Sequence, residues 1–167
     1  MLKDRVALVT GGGVGIGRGI AEALAAEGVR VAICGRREAL LQSTVEHICQ
    51  MGASAMALPA DVTKRGDVDR IVNGIVKEWG QIDILVNNAG MSGRTSMDDP
   101  DDTRWLNILE VNLKGSYLCS KIVLPHMRGP SYGRIINLSS VLGKFGVPGY
   151  SGYCTAKHGI IGFTKAL

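Results

Sequence analysis

A glycine-dense loop near the start of the chain has residue types suited to binding phosphate. Residues 10–17 read Thr-Gly-Gly-Gly-Val-Gly-Ile-Gly, between an apolar run and a helical pattern. A loop almost without side chains lets a phosphate approach the backbone, and the next helix N-terminus offers unpaired N–H groups. Arg18 replaces the last glycine of the common Gly-x-Gly-x-x-Gly pattern, and tight turns also use glycine without a ligand. We nevertheless predict a cradle for a dinucleotide pyrophosphate, formed by Gly11, Gly13, Val14, Gly15, Ile16 and Gly17.

Two arginines follow the second predicted strand, about 20 residues beyond the glycine loop. An NAD site places a carboxylate there to bind the ribose 2′-hydroxyl, but this chain has Arg36 and Arg37. A guanidinium suits a 2′-phosphate, so the pair favours NADP, with NAD as the alternative. The pair could instead be two solvated arginines at a helix start.

Polar and small residues follow the third and fourth predicted strands. Asp61 is either a turn residue beside Thr63 or a carboxylate that accepts from the adenine amino group, and spacing does not decide between them. The small residues after the fourth strand would let a flat ring lie along the backbone, or they form an ordinary turn. The predicted cofactor contacts from these strand ends are Asp61, Val62, Asn88, Ala89 and Gly90.

A tyrosine and a lysine lie four residues apart in the last predicted helix. Tyr153 and Lys157 therefore share one helix face. They follow a hydroxyl pair, Ser139-Ser140, at the end of the fifth strand, where a cap or turn role is the alternative. Tyr117 and Lys121 repeat the spacing inside a long helix, away from any strand end, so we interpret them as a core-and-surface pair.

Composition excludes several classes of protein. The 167 residues are 46% hydrophobic, without an apolar run long enough for a membrane span. The net charge of +4 comes from scattered Lys and Arg, so we predict no nucleic-acid partner. The chain runs straight into a strand without a signal peptide, which predicts a cytoplasmic protein. The four cysteines lack metal-binding spacing, so we predict no metal and interpret them as small apolar residues: Cys34, Cys49, Cys119 and Cys154.

Five apolar runs alternate with helical patterns. The runs cover residues 6–9, 31–34, 55–58, 84–86 and 135–138. The helix candidates cover residues 15–27, 38–51, 65–79 and 100–127, with a last one from about 151. Nearly continuous apolar runs are typical of strands covered on both faces, which predicts an α/β fold with a Rossmann-like, doubly wound parallel sheet.

Boundary residues agree with these elements. The glycines after three of the helices, Gly28, Gly52 and Gly80, are predicted C-caps. Thr63 is a predicted N-cap, and Asp99 followed by Pro100 predicts the start of the fourth helix. In parallel sheets ligands bind beyond the carboxyl ends of the strands, where the candidate residues lie.

Together these residues resemble the short-chain dehydrogenase/reductase family over the whole chain. Each motif is weak alone, but they occur in the family's order, and Ser140 precedes Tyr153 by the expected 13 positions. The matching motifs are Thr10-Gly11-x-x-x-Gly15-Ile16-Gly17, Asp61-Val62, Asn87-Asn88-Ala89-Gly90, Val111-Asn112-Leu113-Lys114-Gly115, Ser140 and Tyr153-x-x-x-Lys157.

The resemblance implies catalytic roles. Tyr153 would be the acid/base, giving its proton to a carbonyl oxygen as hydride arrives from the nicotinamide. Lys157 would favour the phenolate and bond the nicotinamide ribose, and Ser140 would hold the reacting oxygen. Asn112 would help to hold a water that links Lys157 to solvent, with an exposed helix asparagine as the alternative.

The resemblance also implies substrates and partners. Residues 34–37 and 157–167 are similar to those of 3-oxoacyl-carrier-protein reductases and polyketide ketoreductases, although many alcohol and sugar dehydrogenases look alike here. We expect a small ketone or secondary alcohol as substrate. The resemblance also implies that the chain forms a homodimer or homotetramer through the helices at 100–127 and beyond 151.

The chain stops at Leu167, inside the helix that carries Tyr153. Family members continue with two more strands and a loop over the substrate, so we expect residues 1–167 to be one dinucleotide-binding domain that is C-terminally incomplete. Its fifth strand would then be an open sheet edge. The alternatives to an active oxidoreductase are a cofactor-binding module without catalysis and a plain structural domain.

Overall fold

The backbone alternates strands and helices as predicted. A computed structural model describes residues 2–128 and 132–167. The strands are β1 (Val6–Thr10), β2 (Arg30–Gly35), β3 (Ala55–Pro59), β4 (Ile84–Asn87) and β5 (Arg134–Asn137). The helices are α1 (Gly15–Ala26), α2 (Glu38–Gln50), α3 (Arg65–Trp79), α4 (Thr103–Leu109), α5 (Gly115–Arg128) and α6 (Ser151–Ala166).

The five described strands form one parallel sheet in the order β3-β2-β1-β4-β5. Leu8 of β1 pairs with Ala32 of β2 on one side and with Leu85 of β4 on the other. The chain crosses from β3 to β4 over the sheet, so the strand order switches between β1 and β4. The predicted α/β class and parallel sheet are confirmed, and a switch point is where such sheets bind ligands.

Helices cover both faces of the sheet, which explains the nearly continuous apolar runs. On one face α3 and α5 pack against the sheet, with Ile71 and Val123 among the buried residues. On the other face α1 and α2 do so, with Ala21 and Ile48 buried. All residues of β1 and β4 are buried, so these central strands hold the loops that follow them rigidly.

Strand β5 lies at the edge of the described sheet, as predicted. Its residues alternate between exposed and half-buried, and Ile136 is among the exposed large apolar residues. The expectation that every strand is covered on both faces is therefore wrong for β5. Arg134 and Ile136 share one face of the strand, and this face is exposed. Edge position alone is not the reason, because β3 at the other edge has no exposed residue.

Two helix starts differ from prediction. Helix α3 follows Lys64, and the Thr63 hydroxyl donates to the Asp61 carboxylate instead of capping the helix. Helix α4 begins at Thr103, later than Asp99 and Pro100. The carboxylates of Asp99 and Asp101 accept from backbone N–H groups two residues ahead, which favours turns over an earlier helix start.

The predicted C-cap is confirmed at Gly80, whereas the C-caps of α1 and α2 are Glu27 and Met51, and Gly28 and Gly52 come directly after them. Gly28, Gly52 and Gly80 have positive φ angles of 80°, 82° and 79°, which glycine adopts without strain. The fourth helix candidate is two helices, α4 and α5, joined by a π-helical turn at Glu110–Lys114. Among the helices described in 2–128 and 132–167, none is both long and apolar enough to span a membrane.

Candidate functional site

A cleft of about 360 Å³ lies at the carboxyl edge of the sheet. The loops after β1, β2, β3 and β4 meet there because the strands are parallel and in register. The predicted residues that line it are Gly11, Gly13, Val14, Ile16, Gly17, Arg36, Arg37, Asp61, Val62, Asn88, Ala89 and Gly90. Gly15, also predicted, has a positive φ of 55° at the start of α1 and is not part of this lining.

The glycines of the loop allow close packing of backbone on backbone. A Cβ on Gly17 would overlap the carbonyl of Gly11 and the side chain of Asn88. A Cβ on Gly12 would lie 2.6 Å from the side chain of Ile33 in β2. Gly11 has a positive φ of 69°. Close packing therefore requires some of the glycines in this loop. The others leave a ligand free to approach the N-terminus of α1.

Asn88, a predicted cofactor contact that lines the cleft, also holds the glycine loop with its side chain. Its amide donates to the carbonyls of Thr10, at 2.9 Å, and Gly11, at 3.3 Å. The Thr10 hydroxyl in turn accepts from the backbone N–H groups of Asn88, at 3.0 Å, and Ala89, at 2.9 Å. These bonds fix the end of β1 against the end of β4. This role of Thr10 is not among the sequence-based predictions, although a hydroxyl at the last residue of the strand is a signal for it.

Arg36 and Arg37 lie on the exposed rim of the cleft, after β2. Within the described ranges, neither guanidinium forms an ion pair with a carboxylate. Both charges therefore face solvent at the place where a dinucleotide site binds the 2′-position of the ribose.

Asp61 lines the cleft and also organises the turn before α3. Its carboxylate accepts from the Thr63 backbone N–H, at 3.0 Å, and from the Thr63 hydroxyl, at 2.8 Å. Its own N–H donates to Asp67, and this bond is the main cause that lowers the pKa of Asp67. The structure therefore supports the turn role directly, while Asp61 remains within the lining.

A second cavity of about 300 Å³ continues the cleft towards α6. Both cavities are lined by Ile16, Asn88 and Gly90, so they are adjacent, and together they are called the trough. The other residues that line the second cavity are Met91, Ser92, Asn112, Leu138, Ser139, Tyr153 and Lys157.

Lys157 is held firmly in this second cavity. The residue is 6% exposed, and its ammonium donates to the carbonyl of Leu138 at 2.8 Å. Burial lowers the pKa of Lys157 because it disfavours the charged form. The ammonium nitrogen lies 5.7 Å from the centre of the Tyr153 ring. A positive charge thus stands beside the phenol, on the shared helix face that the spacing predicts.

Asn112 is buried in the π-helical turn, so the alternative of an exposed helix asparagine is wrong. Its amide donates to the carbonyls of Met91, at 2.7 Å, and Ile108, at 2.9 Å. Its Oδ1 has no hydrogen-bond partner among the described residues. A buried amide oxygen without a partner is costly, which favours a water or ligand group as its missing donor.

The two serines after β5 have different surroundings. The Ser140 hydroxyl accepts from the Leu142 N–H at 3.2 Å and caps a short 3₁₀ turn at Val141–Gly143. The Ser139 hydroxyl donates to the Lys157 carbonyl at 2.9 Å. Ser139 is part of the lining of the second cavity and Ser140 is not. The catalytic role of Ser140 stays a prediction.

Comparison with known proteins agrees with this geometry. The family model "short chain dehydrogenase" matches residues 5–167. The chain belongs to the short-chain dehydrogenase family.

Named relatives cover nearly all of this chain. It is 42% identical to "Short-chain reductase protein NovJ" of Streptomyces niveus, over 99% of this chain and 63% of that protein. It is 38% identical to "3-oxoacyl-[acyl-carrier-protein] reductase" of Synechocystis, over 99% of this chain and 68% of that protein. A solved "putative short-chain alcohol dehydrogenase" from Sinorhizobium meliloti superposes with a TM-score of 0.94 at 36% identity, over 99% of this chain and 66% of that one. This chain spans about two thirds of the length of these relatives.

The second tyrosine–lysine pair of this short-chain dehydrogenase chain lies elsewhere. The Lys121 ammonium donates to the Tyr117 hydroxyl at 3.0 Å, and both residues are exposed on α5. The Tyr117 ring packs edge-on against Phe163, with 6.3 Å between ring centres. The pair is a surface pair, so the core part of the interpretation is wrong. The Tyr117–Lys121 pair lies away from the trough because it is in the middle of α5.

Proposed function

We propose that this chain carries the NADP site and the proton-transfer residues of an oxidoreductase that interconverts a ketone and a secondary alcohol. The observation that carries the proposal is the trough of two adjacent cavities, which is lined by Arg36 at one end and by Tyr153 and Lys157 at the other. The relatives named as ketoacyl or oxoacyl reductases support a 3-oxoacyl or similar carbonyl as substrate.

The residues of the trough fit a dinucleotide. The glycine loop leaves the α1 N-terminus open to a pyrophosphate, and the rim offers two guanidiniums to a 2′-phosphate. Ala89 and Gly90 add small residues to the lining of the first cavity, and Gly90 also lines the second. When bound, the nicotinamide would supply or accept the hydride.

Tyr153 would hold the reacting proton at its hydroxyl. In the reductive direction it gives this proton to the carbonyl oxygen, where negative charge develops. The nearby Lys157 ammonium favours the phenolate that remains. The Lys157 ammonium has three N–H donors, and the Leu138 carbonyl accepts from one of them. The ammonium could therefore also donate to a ribose hydroxyl.

Asn112 would help to return the proton. Asn112 lines the second cavity together with Lys157, and its Oδ1, which has no partner among the described residues, could accept from a water molecule. Such a water would connect the Lys157 ammonium with solvent. Ser140 is our predicted donor to the carbonyl oxygen, and Ser139 is the alternative because it lines the cavity. Separate Ser139→Ala and Ser140→Ala variants would identify which hydroxyl affects turnover.

We also propose the domain organisation, the location and the oligomeric state of the chain, on the basis of the family resemblance. Residues 1–167 would form one dinucleotide-binding domain, acting in the cytoplasm on a small molecule. Two or four copies would associate through α5 and α6, on which Tyr117 and Phe163 pack together.

The test combines cofactor binding with one substitution. Thermal unfolding is measured with NADPH and with NADH, since a ligand at a hundred times its Kd adds about 2.7 kcal/mol to folded-state stability. We expect a larger shift with NADPH. Tyr153→Phe should lose nearly all turnover of a carbonyl panel and keep the NADPH shift, while the control Tyr117→Phe keeps both.

A second candidate function is cofactor binding without catalysis. The observation in its favour is that Ser140, whose hydroxyl accepts from the Leu142 N–H of its own turn, lies outside the lining at Tyr153. This candidate predicts an NADPH shift but no turnover by the unmodified chain. An absent shift with either nucleotide would refute both candidates and support a plain structural domain.

A further inference from the structure

The helix that carries Tyr153 does not supply its own N-terminal cap. Helix α6 begins at Ser151, and the side chain of Tyr150, at the N-cap position, makes no capping hydrogen bond. The first backbone N–H groups of a helix need acceptors from outside the helix. The buried N–H of Gly152 finds one in the hydroxyl of Thr95, at 3.1 Å. This hydroxyl belongs to the loop after β4, 57 residues earlier in the chain.

Thr95 is joined to the start of α6 by several further contacts. The residue is 5% exposed, and its backbone N–H donates to the Gly149 carbonyl at 2.8 Å. Its hydroxyl also lies 3.1 Å from the hydroxyl of Ser151. Thr95 and Tyr150 form an isolated parallel bridge. The loop after β4 and the start of α6 therefore form one hydrogen-bonded unit.

Trp105 of α4 closes the other side of this helix start. A Cβ on Gly152 would lie 3.0 Å from Cδ1 of the Trp105 indole, so the ring packs directly on the Gly152 backbone. The first turn of α6 is thus held between a hydroxyl and an aromatic ring. Neither contact is made by a residue of α6 itself.

The position of Tyr153 depends on this first turn more than the position of Lys157 does. Within 2–128 and 132–167, the Tyr153 side chain makes no hydrogen bond that would hold it, whereas the Lys157 ammonium is anchored to the Leu138 carbonyl. Tyr153 follows Gly152 directly, so any loosening of the Gly152 backbone moves the phenol. The loop of Thr95 also contributes Met91 and Ser92 to the cavity at Tyr153.

We propose that Thr95 is a positioning residue, which caps α6 from the loop after β4 and thereby holds Tyr153 over the second cavity. This inference rests on the proposed function, in which Tyr153 transfers the proton. Thr95 would not touch the reacting atoms. It acts through the Gly152 N–H and the Ser151 hydroxyl.

The test compares three variants of the full chain. Thr95→Val removes the hydroxyl and keeps the side-chain shape, Thr95→Ser restores the hydroxyl, and Thr155→Val makes the same change on the exposed face of α6. Hydrogen–deuterium exchange of residues 150–157 reports on the helix start. Turnover with NADPH and a carbonyl panel, together with the NADPH Kd, reports on the site.

We expect exchange of residues 150–157 to be about tenfold faster in Thr95→Val, because a lost cap frees the first turn. We expect kcat to fall about tenfold through misplacement of the phenol. The NADPH Kd should stay unchanged, because the glycine loop and Arg36 lie on other elements and Asn88, earlier in the loop of Thr95, is held by Thr10. Thr95→Ser should recover both values, and Thr155→Val should match the unmodified chain.

Four outcomes overturn the inference: unchanged exchange in Thr95→Val, faster exchange with unchanged kcat, failure of Thr95→Ser to recover, or an equal effect of Thr155→Val. If the unmodified chain binds NADPH but turns nothing over, the proposed catalysis fails separately. The exchange comparison then still decides whether Thr95 caps α6.

Discussion

Asp83 is the best place to test how the strands that carry the site are held together. Its carboxylate is 2% exposed and accepts from the Arg5 guanidinium at 2.9 Å, the Val6 N–H at 2.8 Å and the Gln81 amide at 2.8 Å. The Asp83 backbone also bonds to Val6 and Arg134. One residue therefore links the starts of β1, β4 and β5.

Asp83→Asn should lower the free energy of unfolding by about 3 kcal/mol. Breaking a buried ion pair costs about 3–5 kcal/mol because a charge is left without its partner. The Arg5 side chain is 32% exposed and can be partly rehydrated, which places the expected cost at the low end. For a chain of this size that cost corresponds to a fall in Tm of roughly 6–12 °C.

The assay is urea and thermal unfolding of the purified chain, followed by circular dichroism. Asp69→Asn is the matched control, because the Arg65–Asp69 pair is exposed, with side chains 61% and 43% accessible and a separation of 3.5 Å. An exposed pair of this kind is worth about 0–1 kcal/mol. Equal destabilisation by the two variants would refute the reasoning, since burial would then not decide the cost.

Two further predictions concern the trough. Arg36→Asp should shift cofactor preference from NADPH towards NADH, measured as the ratio of the two Kd values. The control Lys165→Asp, on the exposed end of α6, should leave this ratio unchanged. An unchanged ratio in Arg36→Asp would show that Arg36 does not contact the 2′-phosphate. Gly17→Ala should destabilise the fold by about 2 kcal/mol and weaken NADPH binding, because its Cβ would overlap the Gly11 carbonyl. Gly19→Ala, with open space around its Cβ, should be neutral or stabilise by up to about 1 kcal/mol, and equal unfolding curves for these two variants would contradict the packing role of Gly17.

Local patterns in the sequence determined the architecture. The apolar runs predicted all five strands. For β1, β2 and β4 the reason is that residues buried on both faces of a sheet must be apolar. Gly28, Gly52 and Gly80 marked helix ends because glycine, which has no Cβ, adopts a positive φ without strain. The residues after each strand could be predicted to meet, because parallel strands bring their carboxyl ends to one edge.

Only the tertiary structure decided what the polar side chains contact. The amide of Asn88 is used by the glycine loop, and the Ser140 hydroxyl is used by its own turn. Asn112 is buried because a π-helical turn interrupts the long helix, which no periodicity in the sequence indicates. Thr95 reaches α6 across 57 residues of chain. Hydrogen bonds are short and directional, so their partners depend on where separate elements come to lie and not on the spacing of residues along the chain.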